Sequence, residues 1–213
     1  MLCASLLLAA GAHSAQLAVT IGSEQQTLPD LSGAVLYLDS EQASQEAIDD
    51  DAPSVQMAQE NLQFAPFIRV VRQGEKVAFP NRDDVAHHVY SFSKNNAFEL
   101  ELYKGREVPQ KRFNRGQISL GCNIHDWMQA YIFVVDTPWY TQASGNQAVF
   151  DNIPPGRYTL RFWHPGMDRK ENIEQSIELG DEAQQVMIKL HYELKTVNQT
   201  QAPKEQFDDA SDY

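Results

Sequence analysis

Short apolar runs with a period of two recur along almost the whole chain, and this pattern constrains the fold more than any other feature. They run from Leu17 to Ile21, Ala34 to Leu38, Phe67 to Val71, Lys76 to Phe79, His88 to Phe92, Gln117 to Leu120 and Ala130 to Val135. Four more follow, at Ala148 to Phe150, Tyr158 to Trp163, Ile173 to Leu179 and Gln185 to His191. Between them stand turn signals such as Gln73-Gly74, Pro80-Asn81, Arg115-Gly116, Ser144-Gly145 and Pro154-Pro155-Gly156. Alternation over a few residues, broken by Gly, Pro and Asn/Asp, is the signature of strands in all-β sandwiches. No long helical periodicity competes; Ser40 to Glu60 could form a turn or two of helix but reads mainly as a linker.

A chain of 213 residues can hold one large domain or two small ones. Its opening run, Leu2 to Ala12, is apolar but too short to span a bilayer, and small residues follow it. Residues 1–15 are therefore expected to be a signal peptide, with a buried first strand as the alternative, and the mature protein to be periplasmic or secreted. Cleavage removes Cys3 and leaves Cys122 as the one remaining cysteine. A disulfide framework is then excluded, and a lone thiol in an oxidising compartment is protected if a metal holds it as thiolate.

The net charge of −12 is unevenly spread. Asp39, Glu41, Glu46, Asp49, Asp50 and Asp51 form one acidic stretch, and Glu205, Asp208, Asp209 and Asp212 crowd the tail. Such runs read as solvated segments, and a chain this acidic is not expected to bind nucleic acid. No segment reads as a membrane span, so an integral membrane protein is not expected either. Composition changes at Asp136-Thr137-Pro138, which places a domain boundary there. Pro138 to His191 holds only four convincing strands, too few for an independent sandwich, whereas Leu17 to Leu38 holds two more. The expected organisation is a discontinuous smaller β-sandwich from 16–40 and 137–193, an acidic linker at 41–59, an inserted β domain at 60–136, and a disordered acidic tail at 194–213.

The chemistry concentrates in Gly121-Cys122-Asn123-Ile124-His125-Asp126-Trp127-Met128, between two strand signals. A Cys-x2-His-x2-Met spacing on a loop lets a thiolate, an imidazole and a thioether converge, and that soft donor set selects copper over magnesium, calcium or manganese. A second imidazole can come from His87 or His88, in the segment Phe79-Pro80-Asn81-Arg82-Asp83-Asp84-Val85-Ala86-His87-His88. Successive side chains on a strand point to opposite faces, so only one of the two can enter the site. Each residue alone has a bland reading: a solitary Met is usually core filler, and a solitary His a satisfied polar residue.

From Asn61 to Val135 these residues resemble the cupredoxins, the plastocyanin and azurin family, in which a strand ending in Phe-x-Asn leads to a ligand histidine. Measured from Phe79 and Asn81, the resemblance implies His87 as the ligand and puts His88 where plastocyanins commonly carry a bracing Asn. It implies a Greek-key sandwich with one copper ion, Cu(I)/Cu(II), held by His87, Cys122, His125 and Met128. The segment from His125 to Met128 is shorter than in plastocyanins, which leaves the optical class open. A similar short loop followed by Val-Asp-Thr-Pro occurs in secreted bacterial proteins labelled methylamine utilisation protein. Asp151 to Tyr158, with its Pro-Pro-Gly turn, resembles the carboxypeptidase regulatory-like sandwich of transthyretin type, which implies no activity and suggests docking or, more loosely, glycan contact.

His164 and His191 stand apart from these motifs and read as structural or surface residues. The expected function is one-electron transfer by a periplasmic mononuclear copper protein, with a redox partner protein that the basic residues Lys104, Arg106, Lys111, Arg112 and Arg115 could steer if it is acidic. Copper storage or delivery without redox turnover is the alternative, and a non-enzymatic scaffold a further one. An enzyme is not expected, because no additional histidine cluster offers a substrate site next to the copper.

Overall fold

The structure is a computed structural model that describes residues 14–40, 47–105, 108–168 and 172–203. Strands from the two ends of the chain pair with each other. β1 (Ala15–Ser23) runs between β14 (Gln147–Ile153), antiparallel to it, and β17 (Gln184–Leu190), parallel to it. The facing sheet has the order β13 (Tyr140–Gln142), β2 (Val35–Asp39), β15 (Gly156–Trp163), β16 (Ile173–Leu179), all antiparallel. Alternate residues Leu17, Val19 and Ile21 of β1 meet Leu36 and Leu38 of β2 and Leu160 and Phe162 of β15 in one apolar core. Removing those side chains from water holds the two sheets face to face.

The middle of the chain forms a second sandwich. Its large sheet has the order β6 (Ile68–Arg72), β12 (Gln129–Val135), β11 (Gly116–Cys122), β8 (His87–Ser91), β9 (Phe98–Tyr103). A small sheet of β10 (Gln110–Lys111), β7 (Val77–Ala78) and β3 (Val55–Gln56) and the hairpin β4 (Ala58–Glu60) and β5 (Gln63–Ala65) lie with it. Ile118, Leu120 and Cys122 of β11 and Ala130, Ile132 and Val134 of β12 point into a core shared with Phe64, Val77, Phe79 and Val89. The fold class is all-β, as its period-two patterning requires, and no helix occurs among the described residues.

The opposite face of β12 joins the two sandwiches. Phe133 and Val135 pack with Ile68 and Val70 of β6 against Val35 and Tyr37 of β2 and Trp163 of β15. The Phe133 and Trp163 rings stack with centroids 4.6 Å apart. β2 is thus buried on both faces, which is why Val35-Leu36-Tyr37-Leu38 shows no polar alternation. Arg115 bridges Asp136 and Asp39 at the rim of this junction.

Three segments differ from the sequence expectation. The linker expected at 41–59 contains β3 and the start of β4, with Met57 and Gln59 fully buried; residues 41–46 lie outside the described chain. These strands are too short and too polar to announce themselves, and β3 pairs in parallel with β7, a long-range choice. The tail expected to be disordered from 194 instead buries Leu194 in the first core, and Lys195 N–H donates to the Gly166 carbonyl at 3.0 Å. Further on, Gln63 Nε2 donates to the Thr200 carbonyl and Gln199 Nε2 to that of Phe64; residues 204–213 lie outside the described chain. Strand β9 carries no clear apolar signal in the sequence, because Glu99 and Glu101 give it the charged character of an edge strand, which is its place in the sheet. The expected signal segment, as far as residue 13, and Arg106 also fall outside the described residues.

Candidate metal centre

Cys122 ends β11, and the pleat that sends Ile118 and Leu120 inward sends its sulfur inward too. The chain then turns: Asn123 N–H donates to the His88 carbonyl, and Met128 N–H to the His125 carbonyl at 2.9 Å. This loop folds His125 back over Cys122. His87 arrives from β8, the strand paired with β11 through Gly121 opposite Tyr90 and Cys122 opposite Val89. A register irregularity between His87 and Val89 adjusts the strand there.

Three donor atoms converge. His87 Nδ1 lies 3.2 Å from His125 Nδ1, and Cys122 Sγ lies 3.8 Å from the first and 3.7 Å from the second. A circle through these atoms has a radius of about 2.1 Å, against roughly 2.0–2.3 Å for bonds from a first-row metal to imidazole nitrogen and thiolate sulfur. All three residues are buried: His87 is 0%, Cys122 3% and His125 7% exposed. They form a group able to hold a metal ion.

The pleat puts the neighbouring His88 on the other face of β8, where its Nε2 meets Glu99 at 2.7 Å. Met128 is 1% exposed and shares the core cluster of Cys122. His164 is buried in the other sandwich, where its Nδ1 accepts from Gly166 N–H at 3.0 Å, and His191 is exposed. Neither approaches the three-residue cluster.

Charge in the cluster follows from its surroundings. Burial alone raises a thiol pKa, but hydrogen bonds from His87 and from the backbone N–H groups of His88, Ile124 and His125 outweigh it, and Cys122 lies below the ordinary thiol value. Burial likewise opposes a charged His87, yet Cys122 and Asp83 raise its pKa above the ordinary histidine value. His125 is pushed down, by burial first and then by the nearby His87. A lowered thiol pKa eases deprotonation of Cys122, the form in which its sulfur would hold a metal ion.

A further shell went unread in the sequence. Asp83 Oδ2 sits 2.8 Å from His87 Nε2 and accepts from Leu62 N–H at 3.1 Å. Asn81 accepts from Asp83 N–H and donates to the carbonyls of Val85 and Tyr103, which shapes the loop leading to His87. Trp127 Nε1 donates to the Leu62 carbonyl, and its ring lies 5.1 Å from that of His125. The one available signal was Asp83 standing four residues before His87, weak on a loop with no regular period.

No family model matches the chain, and no curated protein matches it. Among solved structures it is similar to a purple cupredoxin from Nitrosopumilus maritimus, with 19% identity over 38% of this chain and 100% of that one, at a TM-score of 0.35. A reduced Cu(I) amicyanin variant is 18% identical over 47% of this chain and 98% of its own, at a TM-score of 0.36. A copper-containing nitrite reductase from Thermus scotoductus is 19% identical over 42% of this chain, at a TM-score of 0.38, and only 25% of that enzyme is covered. Among the described residues no helix is long and apolar enough to cross a membrane.

Proposed function

We propose that the chain is a copper protein of the cupredoxin kind that carries single electrons. His87, Cys122 and His125 would hold the ion, and Met128 would supply a fourth, weaker ligand. The observation that carries the reading is the ring of three buried donor atoms, spaced for bonds to one metal ion. Two imidazoles and a thiolate suit both Cu(II) and Cu(I), and the bound ion supplies the one-electron couple. The residues contribute rigidity. His87 and Cys122 stand on paired strands, and His125 is tied back by its loop, so the donor positions change little when the charge of the ion changes.

Burial favours electron transfer over copper delivery. A carrier that hands metal on needs accessible ligands, whereas here all three are at most 7% exposed. Reaction with a small substrate on the same ion would need an open position, so the reading includes no enzymatic activity of the chain alone. Export to the periplasm or beyond, with loss of the apolar N-terminal segment ahead of β1, which begins at Ala15, belongs to the same proposal, since a single thiolate capped by copper survives an oxidising compartment. A redox protein is the proposed partner.

Titration of the purified protein with Cu(II), followed by optical and electron spin resonance spectra, tests the reading. One equivalent should bind and produce intense visible thiolate-to-copper absorption, which Cys122→Ser abolishes. Persistence of that colour in the variant, or absence of Cu(II) binding in the parent protein, refutes it.

A further inference from the structure

The strongest unexplained group near the cluster is the Asp83 carboxylate. It is held on both sides: an Asx turn ties its N–H to Asn81 Oδ1 at 2.9 Å, and its Oδ2 takes the Leu62 N–H. Leu62 itself sits in the left-handed region with φ of 55°, at the turn of the β4–β5 hairpin. That conformation is unfavourable for a branched side chain and persists where surrounding contacts over-determine it. Here both halves of its backbone are used, the N–H by Asp83 and the carbonyl by Trp127. One strained residue thus links the acid behind His87 to the indole beside His125.

From this geometry we propose that Asp83 is a positioning residue that locks His87 as a ligand and biases the bound ion toward Cu(II). A carboxylate only accepts hydrogen bonds, so in the neutral His87 ring Nε2 carries the proton, and the Nδ1 lone pair is left facing Cys122 and His125. The negative charge behind the ring also makes the imidazole a stronger donor, which favours the higher oxidation state. The neighbouring Asp84 is exposed and serves as a charge control.

The inference rests on the copper reading, but half of its test needs no copper. In the metal-free protein at alkaline pH, nitrogen NMR of the imidazoles should show His87 in a single tautomer with the proton on Nε2, and Asp83→Ala should give a mixture. With copper bound, Asp83→Asn should weaken the preference for Cu(II) over Cu(I) about tenfold, a rise in reduction potential of roughly 59 mV for one electron. Asp84→Asn should shift it by less than a third of that. The proposal is overturned if the parent protein shows the Nδ1–H tautomer, a result that requires no variant to fold. It is equally overturned if Asp83→Ala leaves the tautomer unchanged, or if Asp84→Asn moves the potential as far as Asp83→Asn. Should the parent protein bind no copper, the functional reading fails while the NMR measurement still decides the role of Asp83.

Discussion

Gly121 precedes the cysteine of the cluster and faces Tyr90 across the β11–β8 pair, and substituting it isolates one packing contact. An alanine Cβ at that position would stand 2.8 Å from Tyr90 Cζ, 2.9 Å from its hydroxyl oxygen and 3.2 Å from Cε1. Ordinary carbon contacts begin near 3.5 Å, so the ring must lift by roughly 0.5–1 Å. The backbone of Gly121 lies outside the left-handed region, so Ala is otherwise tolerated and would by itself favour the strand by about 0.5–1 kcal/mol. Overpacking costs about 1–3 kcal/mol, and the ring is only half-buried and can swing outward, so the net loss for Gly121→Ala is about 1 kcal/mol. In a Tyr90→Ala background the clash is gone and the same substitution should become neutral or slightly stabilising. The two changes then couple by about 1–2 kcal/mol in a double-mutant cycle. Urea unfolding of the four metal-free proteins, followed by circular dichroism, measures it. If the two effects add within about 0.3 kcal/mol, the close approach of Tyr90 is not what keeps position 121 as glycine.

Two further outcomes follow from the packing and the buried histidine. Phe133→Ala removes a ring stacked on Trp163 at the junction of the sandwiches and should cost about 3–5 kcal/mol, read as a lower urea midpoint; a change below 1 kcal/mol would show that the junction contributes little. His164 has its pKa lowered by burial, so on acidification the unfolded chain binds a proton that the native state resists. Stability should accordingly fall as the pH drops below about 6.5, and His164→Asn, whose Oδ1 can still accept from Gly166 N–H, should flatten that dependence; an unchanged slope in the variant counts against this origin.

How much of the molecule was legible beforehand varied with the range of the interactions that shape it. The all-β class followed from local alternation, which survives in β1, β11 and β17 because each has one buried and one more open face. β9 leaves no such pattern because an edge strand carries charges, and β3 and β4 leave none because their burial depends on partners elsewhere in the chain. Around the cluster, Cys122 and His125 lie on one short loop, so their proximity is local. Asp83, Leu62 and Trp127 are brought together by the hairpin and two loops, and nothing in their spacing announces it.

Taken alone, the chain of residues determined the period of its strands and the kind of donors available: the Cys122 thiol, neighbouring imidazoles and a thioether. Tertiary structure decided which of those atoms meet. Strand pairing and the pleat turn His87 toward Cys122 and the adjacent His88 away, because a donor atom must be placed to within a few tenths of an ångström and only the packed sandwich holds residues so far apart in sequence to that tolerance.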